Sequence, residues 1–477
     1  MLDQLIFADN LPVLEGFPDG LFDLIYLDPP FNSDSDYHVL FTEEAGRRLQ
    51  SRIRAFGDTW RWGEDARRAY ERVQRQGPLR VAQVLEAFRL FLGEGDLLAY
   101  LAMMTPRLIE LHRVLKSTGA LFLHCDQTAS HYLKVLVDSI FGRENFQNNV
   151  VWSYRRWPAR SKAFQRMHDD LLFYVKDPRS DVVWNQLFEP LSPGTLKTHG
   201  TAKQHAVFEG GRRVNSEDTA ESSPGTPMTD VWRISVVNAR ARERTGYPTQ
   251  KPEALLDRIL RACTNAGDLV LDPFCGCGTA VVVATRLGRH WVGIDAAYQA
   301  IRIVERRLLK EGSSHFSIAG IPTDLRTARD LARRDPDQFE AWALDRIGAR
   351  RLPVSKRGVD PGIGGQLETP AGHVLVQVES GRVGARHVRE LLEGVEREGA
   401  ARGILLTLDK PTPRMLQEAS ACGFVPSETG ECYPRVEVVT VARFLEGSEP
   451  SQPPASDLPT AWPPGIGRPW SRELAAE

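Results

Sequence analysis

Phe22-Asp23-Leu24-Ile25-Tyr26-Leu27-Asp28-Pro29-Pro30-Phe31 is the stretch on which the reading of this chain turns. Residues 22–27 form a short apolar and aromatic run bounded by Asp19-Gly20 before and Pro29-Pro30 after, which suits a buried strand of a parallel sheet. The loop that follows then lies where open α/β sheets bind ligands. Two prolines remove two backbone donors, so carbonyl oxygens stand there without competing N–H groups, beside the carboxylate of Asp28 and the aromatic face of Phe31. An exocyclic amino group on a planar ring needs acceptors and a face of that kind. The plain alternative is a strand-ending turn, since Asp and Pro are ordinary turn residues.

A second stretch weighs against that alternative. Leu269-Val270-Leu271-Asp272-Pro273-Phe274-Cys275-Gly276-Cys277-Gly278-Thr279, a helical segment, and then Trp291-Val292-Gly293-Ile294-Asp295 read as strand, glycine loop, helix, strand and acid. Glycines let the backbone approach a nucleoside, and an acid at the tip of the next strand is placed for ribose hydroxyls. The third glycine of a dinucleotide loop is missing, which argues against a pyrophosphate and for a smaller nucleoside ligand; a Rossmann dehydrogenase fits the acid at Asp295 but leaves Asp28-Pro29-Pro30-Phe31 unexplained.

Together these stretches resemble the amino-group DNA methyltransferases that use S-adenosylmethionine, in the permuted order that places the catalytic loop before the cofactor loop. Asp28-Pro29-Pro30-Phe31 matches the catalytic loop and Phe274-x-Gly276-x-Gly278 the cofactor loop. Gly246-Tyr247-Pro248-Thr249-Gln250-Lys251-Pro252-Glu253 resembles the segment opening a helix beside the methionine end of the cofactor. Ala8-Asp9-Asn10 sits where the family has an acid near the adenine ring, and Gly119 to His124 matches a further core strand. The resemblance covers residues 1–315. It implies that Asp28 and the Pro29 carbonyl accept hydrogen bonds from the amino group of a base flipped out of double-stranded DNA, on which Phe31 stacks, with Pro30 completing the loop. It further implies that Asp295 takes the cofactor ribose, that Asp272, Phe274, Gly276, Gly278 and Thr279 form its cradle, that Thr249 and Lys251 serve its methionine end, and that Asp9 lies by the adenine. An Asp opening the catalytic loop goes more often with adenine N6 than with cytosine N4 in this family.

Composition sets limits. A chain of 477 residues exceeds one ordinary core, so two or three domains are expected. The net charge of −2 neither requires nor excludes a nucleic-acid partner, because a local basic patch suffices. Six scattered cysteines give no disulfide framework and no paired zinc pattern, so no metal site is expected, and Cys275 and Cys277 read as small loop residues. No charged-then-apolar leader and no run of about twenty apolar residues is present. The expectation is a cytoplasmic protein without a membrane partner.

The expected fold is α/β: a Rossmann-like methyltransferase sheet with an inserted target-recognition region and a smaller C-terminal α/β domain. Residues 1–149 read as its catalytic half, with an insertion over 33–100 whose Trp60 and Trp62 serve either a DNA cleft or a core. Residues 150–245 read as the target-recognition region, where Arg155, Arg156, Arg160 and Lys162, interleaved with Tyr154 and Trp157, suit backbone tracking and base stacking, or else a solvated charged face. Residues 246–315 read as the cofactor half, 316–351 as a helical connector, 352–447 as an accessory domain and 448–477 as a disordered tail. The accessory domain resembles the restriction-endonuclease-like fold of the Mrr type, with Arg357 to Gly365 before a strand carrying Gln377-Val378-Glu379. That family usually has Asp where Gly364 stands and Lys where Glu379 stands, which implies a domain without cleavage. A fused restriction-modification enzyme, a catalytically silent DNA-binding module and an RNA substrate are the rival readings; a cognate restriction endonuclease and a homodimer are left open as partners.

Overall fold

The computed structural model describes residues 3–30, 36–41, 51–57, 61–157, 160, 162–203, 206–210, 212–215, 222–352, 362–369, 372–426 and 432–446. Phe31, Trp60, residues 357–361 and the tail beyond 447 lie outside them.

A nine-stranded sheet organises the first two thirds of the chain. In chain order its strands are β1 (Gln4–Phe7), β2 (Phe22–Leu27), β3 (Leu115–Cys125), β4 (Phe146–Ser153), β5 (His168–Val175), β6 (Val231–Arg233), β7 (Leu269–Asp272), β8 (His290–Asp295) and β9 (Ser317–Ala319). Their spatial order is β6-β4-β5-β3-β2-β7-β8-β1-β9. From β3 to β9 all neighbours are parallel, whereas β5 runs antiparallel to both β3 and β4. Helices cover both faces, which is why Leu24, Ile25, Tyr26 and Leu27 are all buried instead of alternating.

One face carries the helices Glu64–Gln76, Leu79–Leu92, Asp96–Val114 and Ser130–Phe141, whose apolar sides share a core with Leu27, Leu121 and Leu271. Trp62 belongs to this packing: its ring meets Tyr70 edge-on at 5.9 Å. The other face is covered by α-helices at Glu253–Cys263, Thr279–Arg286 and Tyr298–Lys310.

Two expected boundaries move. The division at 149/150 falls inside β4, whose Val150, Val151, Trp152 and Ser153 pair with β5, so residues 150–245 are not a separate body. They supply strands β4, β5 and β6 to the main sheet, while among the described residues a short helix, Pro193–His199, and small two-stranded pairings stand apart from it. The sheet also runs past 315, because Ser317–Ala319 pairs with β1.

The connector forms two helices, Leu325–Arg334 and Pro336–Arg346, separated by Asp335. Asp335 caps the second helix, its carboxylate accepting from the N–H groups of Asp337 and Gln338 at 3.1 Å, with Pro336 at the first helical position. Beyond it a five-stranded sheet runs β10 (Arg350–Arg351), β11 (Ile363–Thr369), β12 (Gly372–Glu379), β13 (Arg402–Thr407) and β14 (Val436–Thr440), in that spatial order. The first three form an antiparallel meander; β13 and β14 join in parallel through the crossover helices Ala385–Arg397 and Pro413–Ala421. Phe339, Trp342 and Leu344 of the connector are buried in the same core as Val374, Val376, Ile404 and Phe444, so the connector helix is a packed layer of this unit. No helix among the described residues is long and apolar enough to cross a membrane.

Candidate active site

The parallel strands β2, β7, β8 and β1 lie side by side, so the residues that follow them meet at one edge of the sheet: Asp28 after β2, the glycine loop after β7, Asp295 ending β8, and Asp9 just past β1. A cavity of about 530 Å³ opens there. Asp9, Asp28, Pro29, Pro30, Thr249, Lys251, Asp272, Phe274, Gly276, Thr279 and Asp295 all line it. Of the expected site residues on the sheet edge, Gly278 acts from behind the lining and Phe31 lies outside the described residues.

The glycine loop has a conformation only its glycines permit. Gly276 and Gly278 have φ of +50° and +74°. A Cβ on Gly278 would meet the Val304 side chain at 2.7 Å, and one on Gly276 would press on the Tyr247 ring at 3.2 Å. The loop thus sits flat against its own helix layer and leaves its open side to the cavity. Arg307 holds it from below, donating to the Cys277 carbonyl at 2.7 Å, while the same guanidinium pairs with Glu253 at 2.7 Å.

Asp295 is anchored by two backbone donors, Gly276 N–H to Oδ2 and Ala297 N–H to Oδ1, both at 2.8 Å. Burial pushes its carboxyl up to about 6, against the pull of those donors. Burial also raises the Asp272 carboxyl well above its ordinary value, and the nearby Asp28 and Asp295 push in the same direction. The sign for a ligand whose hydroxyls need the ionised Asp295 is direct. The carboxylate is present above pH 6 and lost below it, so nucleoside affinity falls by about tenfold between pH 7 and pH 5. Calorimetric titration across that range, with the Asp295→Asn protein as the flat reference, measures it.

Asp9 caps the helix Asn10–Gly16 by accepting from Leu11 N–H at 2.8 Å, and both its oxygens accept from Nη2 of Arg107 at 3.0 Å. Arg107 is buried in the helix Asp96–Val114 and also donates to Asn10 at 2.6 Å. Asn10 passes the link on by donating to the Pro273 carbonyl at 2.7 Å. Asp9 is thereby tied to the glycine loop. Arg107 has no sequence motif of its own, and its signal is a lone guanidinium within the apolar run Leu97–Ile109.

Asp28 has the most unequal environment. Its Oδ2 is paired with the ammonium of Lys251, which is buried. Lys251 thus lines the cavity, but with its charge on the catalytic loop. Oδ1 of Asp28 is buried and accepts no hydrogen bond among the described residues, with the His124 ring nitrogen Nδ1 3.8 Å away. His124 is fully buried, contacts Tyr26 Oη at 3.0 Å through Nδ1 and Asp169 Oδ2 at 3.4 Å through Nε2, and Asp169 in turn accepts from Tyr154 Oη at 3.0 Å. A buried polar chain therefore runs behind the loop from β2 across β3 to β5.

Ser153 pairs with His168 as Cys125 pairs with Asp170, so β4 ends on the same edge as β3 and β2. The loop leaving it exposes Arg155, Arg156, Arg160 and Lys162 on the active-site side, along with Trp157 and Phe164, which are 93% and 101% exposed. Cys275 and Cys277 are free and buried, and burial pushes both thiols up. Among the described residues no group of three or more His, Cys, Asp or Glu side chains is placed to hold a metal.

Comparison with known proteins agrees with this geometry. The profile of the DNA methylase family matches residues 22–306, more than half of the chain, and the chain belongs to that family, the amino-group DNA methyltransferases, whose methyl donor is S-adenosylmethionine. Among relatives, it is 29% identical over 219 residues to the Type II methyltransferase M.HpaI of Haemophilus parainfluenzae, covering 46% of this chain and 62% of that one. It is 26% identical over 314 residues to the DNA adenine methyltransferase YhdJ of Escherichia coli strain K12, covering 66% and 84%. The PvuII DNA methyltransferase (cytosine-N4-specific) aligns at 14% identity over 66% of this chain and 88% of its own, with a TM-score of 0.34.

The residues present fit the donor. The cavity volume is within the range of cofactor sites. It offers carboxylates at Asp9, Asp28 and Asp295 and a glycine loop that leaves room at Gly276.

Proposed function

We propose that the protein methylates the N6 amino group of adenine in double-stranded DNA, at a specific sequence, within the cytoplasm. The unpartnered Oδ1 of Asp28 carries this reading: Asp28 lines the cavity, one of its carboxylate oxygens is fixed by Lys251, and the other is buried without a donor among the described residues, an acceptor left for an N–H. When bound, S-adenosylmethionine supplies a methyl group on a positively charged sulfonium. Asp28 and the Pro29 carbonyl accept the two amino N–H groups, which turns the nitrogen lone pair out of conjugation and toward the methyl carbon. Lys251 fixes the carboxylate without blocking Oδ1. Oδ1 is also the first acceptor for the proton that the methylated nitrogen releases. Positioning and fixed charge lower the barrier, so no cysteine nucleophile is needed. The amino nitrogen is unreachable in a stacked pair, so the base is flipped into the cavity, with Phe31 as the stacking face.

Adenine is favoured by the Asp that opens the catalytic loop and by the adenine specificity that the name of the relative YhdJ states. Transfer of labelled methyl to unmethylated duplex DNA, followed by nucleoside analysis, tests it. N6-methyladenine is expected. N4-methylcytosine would overturn the base assignment, and cofactor binding without transfer would leave a DNA-binding module.

The exposed loop Arg155 to Lys162 is proposed to track the DNA backbone. Replacing Arg155, Arg156, Arg160 and Lys162 together by Ala is expected to weaken binding alike on all sequences and to flatten the salt dependence of log K by about 3 to 4. Binding isotherms at several salt concentrations read both.

Residues 352–447 are proposed to be a nuclease-derived unit without cleavage. The antiparallel meander followed by parallel strands suits that ancestry. Gly364 faces the Glu340 carboxylate, which fills the space where an aspartate side chain would start. Glu379 hydrogen-bonds Gln377 at 2.9 Å where the family has lysine. Incubation of unmethylated plasmid with magnesium or manganese is expected to leave it supercoiled, and cleavage would refute the reading.

A further inference from the structure

The cofactor cavity has a wall that the methylase core does not supply. Asp335, Asp337 and Gln338 line it, although the family match ends at residue 306. They belong to the first turn of the connector helix Pro336–Arg346, the helix that packs with the C-terminal sheet. Gln338 Oε1 accepts from the Tyr298 N–H at 2.7 Å, three residues past the ribose acid Asp295. Asp345, two turns further along the same helix, accepts from the Tyr298 hydroxyl at 2.7 Å and forms an ion pair with Arg302 at 3.1 Å. Asp337 faces the other way in part, pairing with the buried Arg351 of β10, which also holds Glu340 at 2.7 Å. One helix turn is therefore pinned on one side to the segment after Asp295 and on the other to the edge strand of the C-terminal sheet.

We propose that this turn closes the nucleoside end of the S-adenosylmethionine site, so that cofactor binding and docking of the C-terminal unit stabilise each other. The proposal rests on the cavity being the cofactor site. Gln338 is the positioning residue: it fixes the backbone that follows Asp295 and holds the Asp335–Gln338 turn over the cavity. Ligand occupancy tightens the turn, and through Asp337 and Arg351 that tightening reaches β10. Linkage requires the reverse as well, that loosening the C-terminal attachment weakens cofactor binding.

The test uses the full chain. Hydrogen exchange of the wild type is followed with and without S-adenosylhomocysteine, and affinity for it is measured calorimetrically for the wild type, Gln338→Ala and Arg351→Met. Protection is expected in Phe339–Leu344 and Arg350–Arg351 in addition to the glycine loop, with about fivefold weaker binding by Gln338→Ala, the worth of one hydrogen bond. Arg351→Met, which does not line the cavity, is expected to weaken binding in the same direction and to lose the protection at residues 350–351 while keeping it at the glycine loop. Protection confined to the glycine loop and the Asp295 segment, with both variants within twofold of the wild type, would overturn the proposal. If the wild type fails to bind the nucleoside at all, the cofactor assignment itself falls, a different result from binding without coupling.

Discussion

Asp28→Ala is expected to lower the turnover number for methyl transfer by about 10³-fold, while affinity for S-adenosylmethionine changes by less than about fivefold. The separation follows from position. Asp28 follows β2, which is separated in the sheet from the strands carrying Asp295 and preceding Asp9, and in the proposed mechanism its Oδ1, without a hydrogen-bond partner among the described residues, serves the base and not the cofactor. What the variant removes is an acceptor used only when the amino group is being turned toward the methyl donor, which is the definition of an interaction felt in turnover. Lys251 would lose its partner, so the cost in folding stability is worth measuring alongside: an isolated buried ammonium costs several kcal/mol unless it relaxes toward water. Asp28→Asn separates the two effects. It keeps a carbonyl acceptor, loses the ion pair, and should fall between wild type and Ala. Single-turnover rates at saturating cofactor and DNA decide the matter; a full rate in Asp28→Ala would remove Asp28 from the catalytic role.

The parts of this site legible in the sequence are those where the local backbone and the chemistry constrain the same few residues. Asp28-Pro29-Pro30 closes a buried strand, Gly276 and Gly278 need positive φ, and Asp295 ends a strand one helix later; each can be read within a short window. What stayed hidden depends on residues that meet only in three dimensions. The Lys251 ammonium reaches Asp28 across 223 positions, and nothing in Tyr247-Pro248-Thr249-Gln250-Lys251 marks its target. His124 and Asp169 join because β5 inserts antiparallel beside β3, a pairing that alternation of residues cannot predict in strands buried on both faces. The start of the region read for target recognition is hidden likewise: Val150 to Ser153 belong to β4 because they pair with β5, a partner well over ten residues further on. Asp335 and Gln338 are a further case, a charged connector that turns out to be cavity wall.

Asp295→Asn should produce the complementary phenotype, an affinity for S-adenosylmethionine reduced by about 10²-fold with turnover at saturating cofactor within about tenfold of wild type. The carboxylate already accepts from Gly276 and Ala297, one donor to each oxygen, and each oxygen keeps a second lone pair for a ribose hydroxyl. An amide cannot serve both donors. Its NH2 would face an N–H on one side, so either the glycine loop or the end of β8 must shift, and both hydroxyls lose a charged acceptor. Two charge-assisted hydrogen bonds of about 1.5 kcal/mol each, the low end of their range, correspond to that loss. DNA affinity measured without cofactor should not change, because Asp295 lies at the nucleoside end of the cavity and the basic loop after β4 is on the far side of β3. The contrast between the two acids is the sharpest check on the assignment. If Asp28 is read in turnover and Asp295 in cofactor affinity, the cavity has a reactive end and a nucleoside end as drawn; if both variants fail in cofactor affinity alone, Asp28 belongs to the binding site and the amino-group acceptor must be sought elsewhere along the same strand edge.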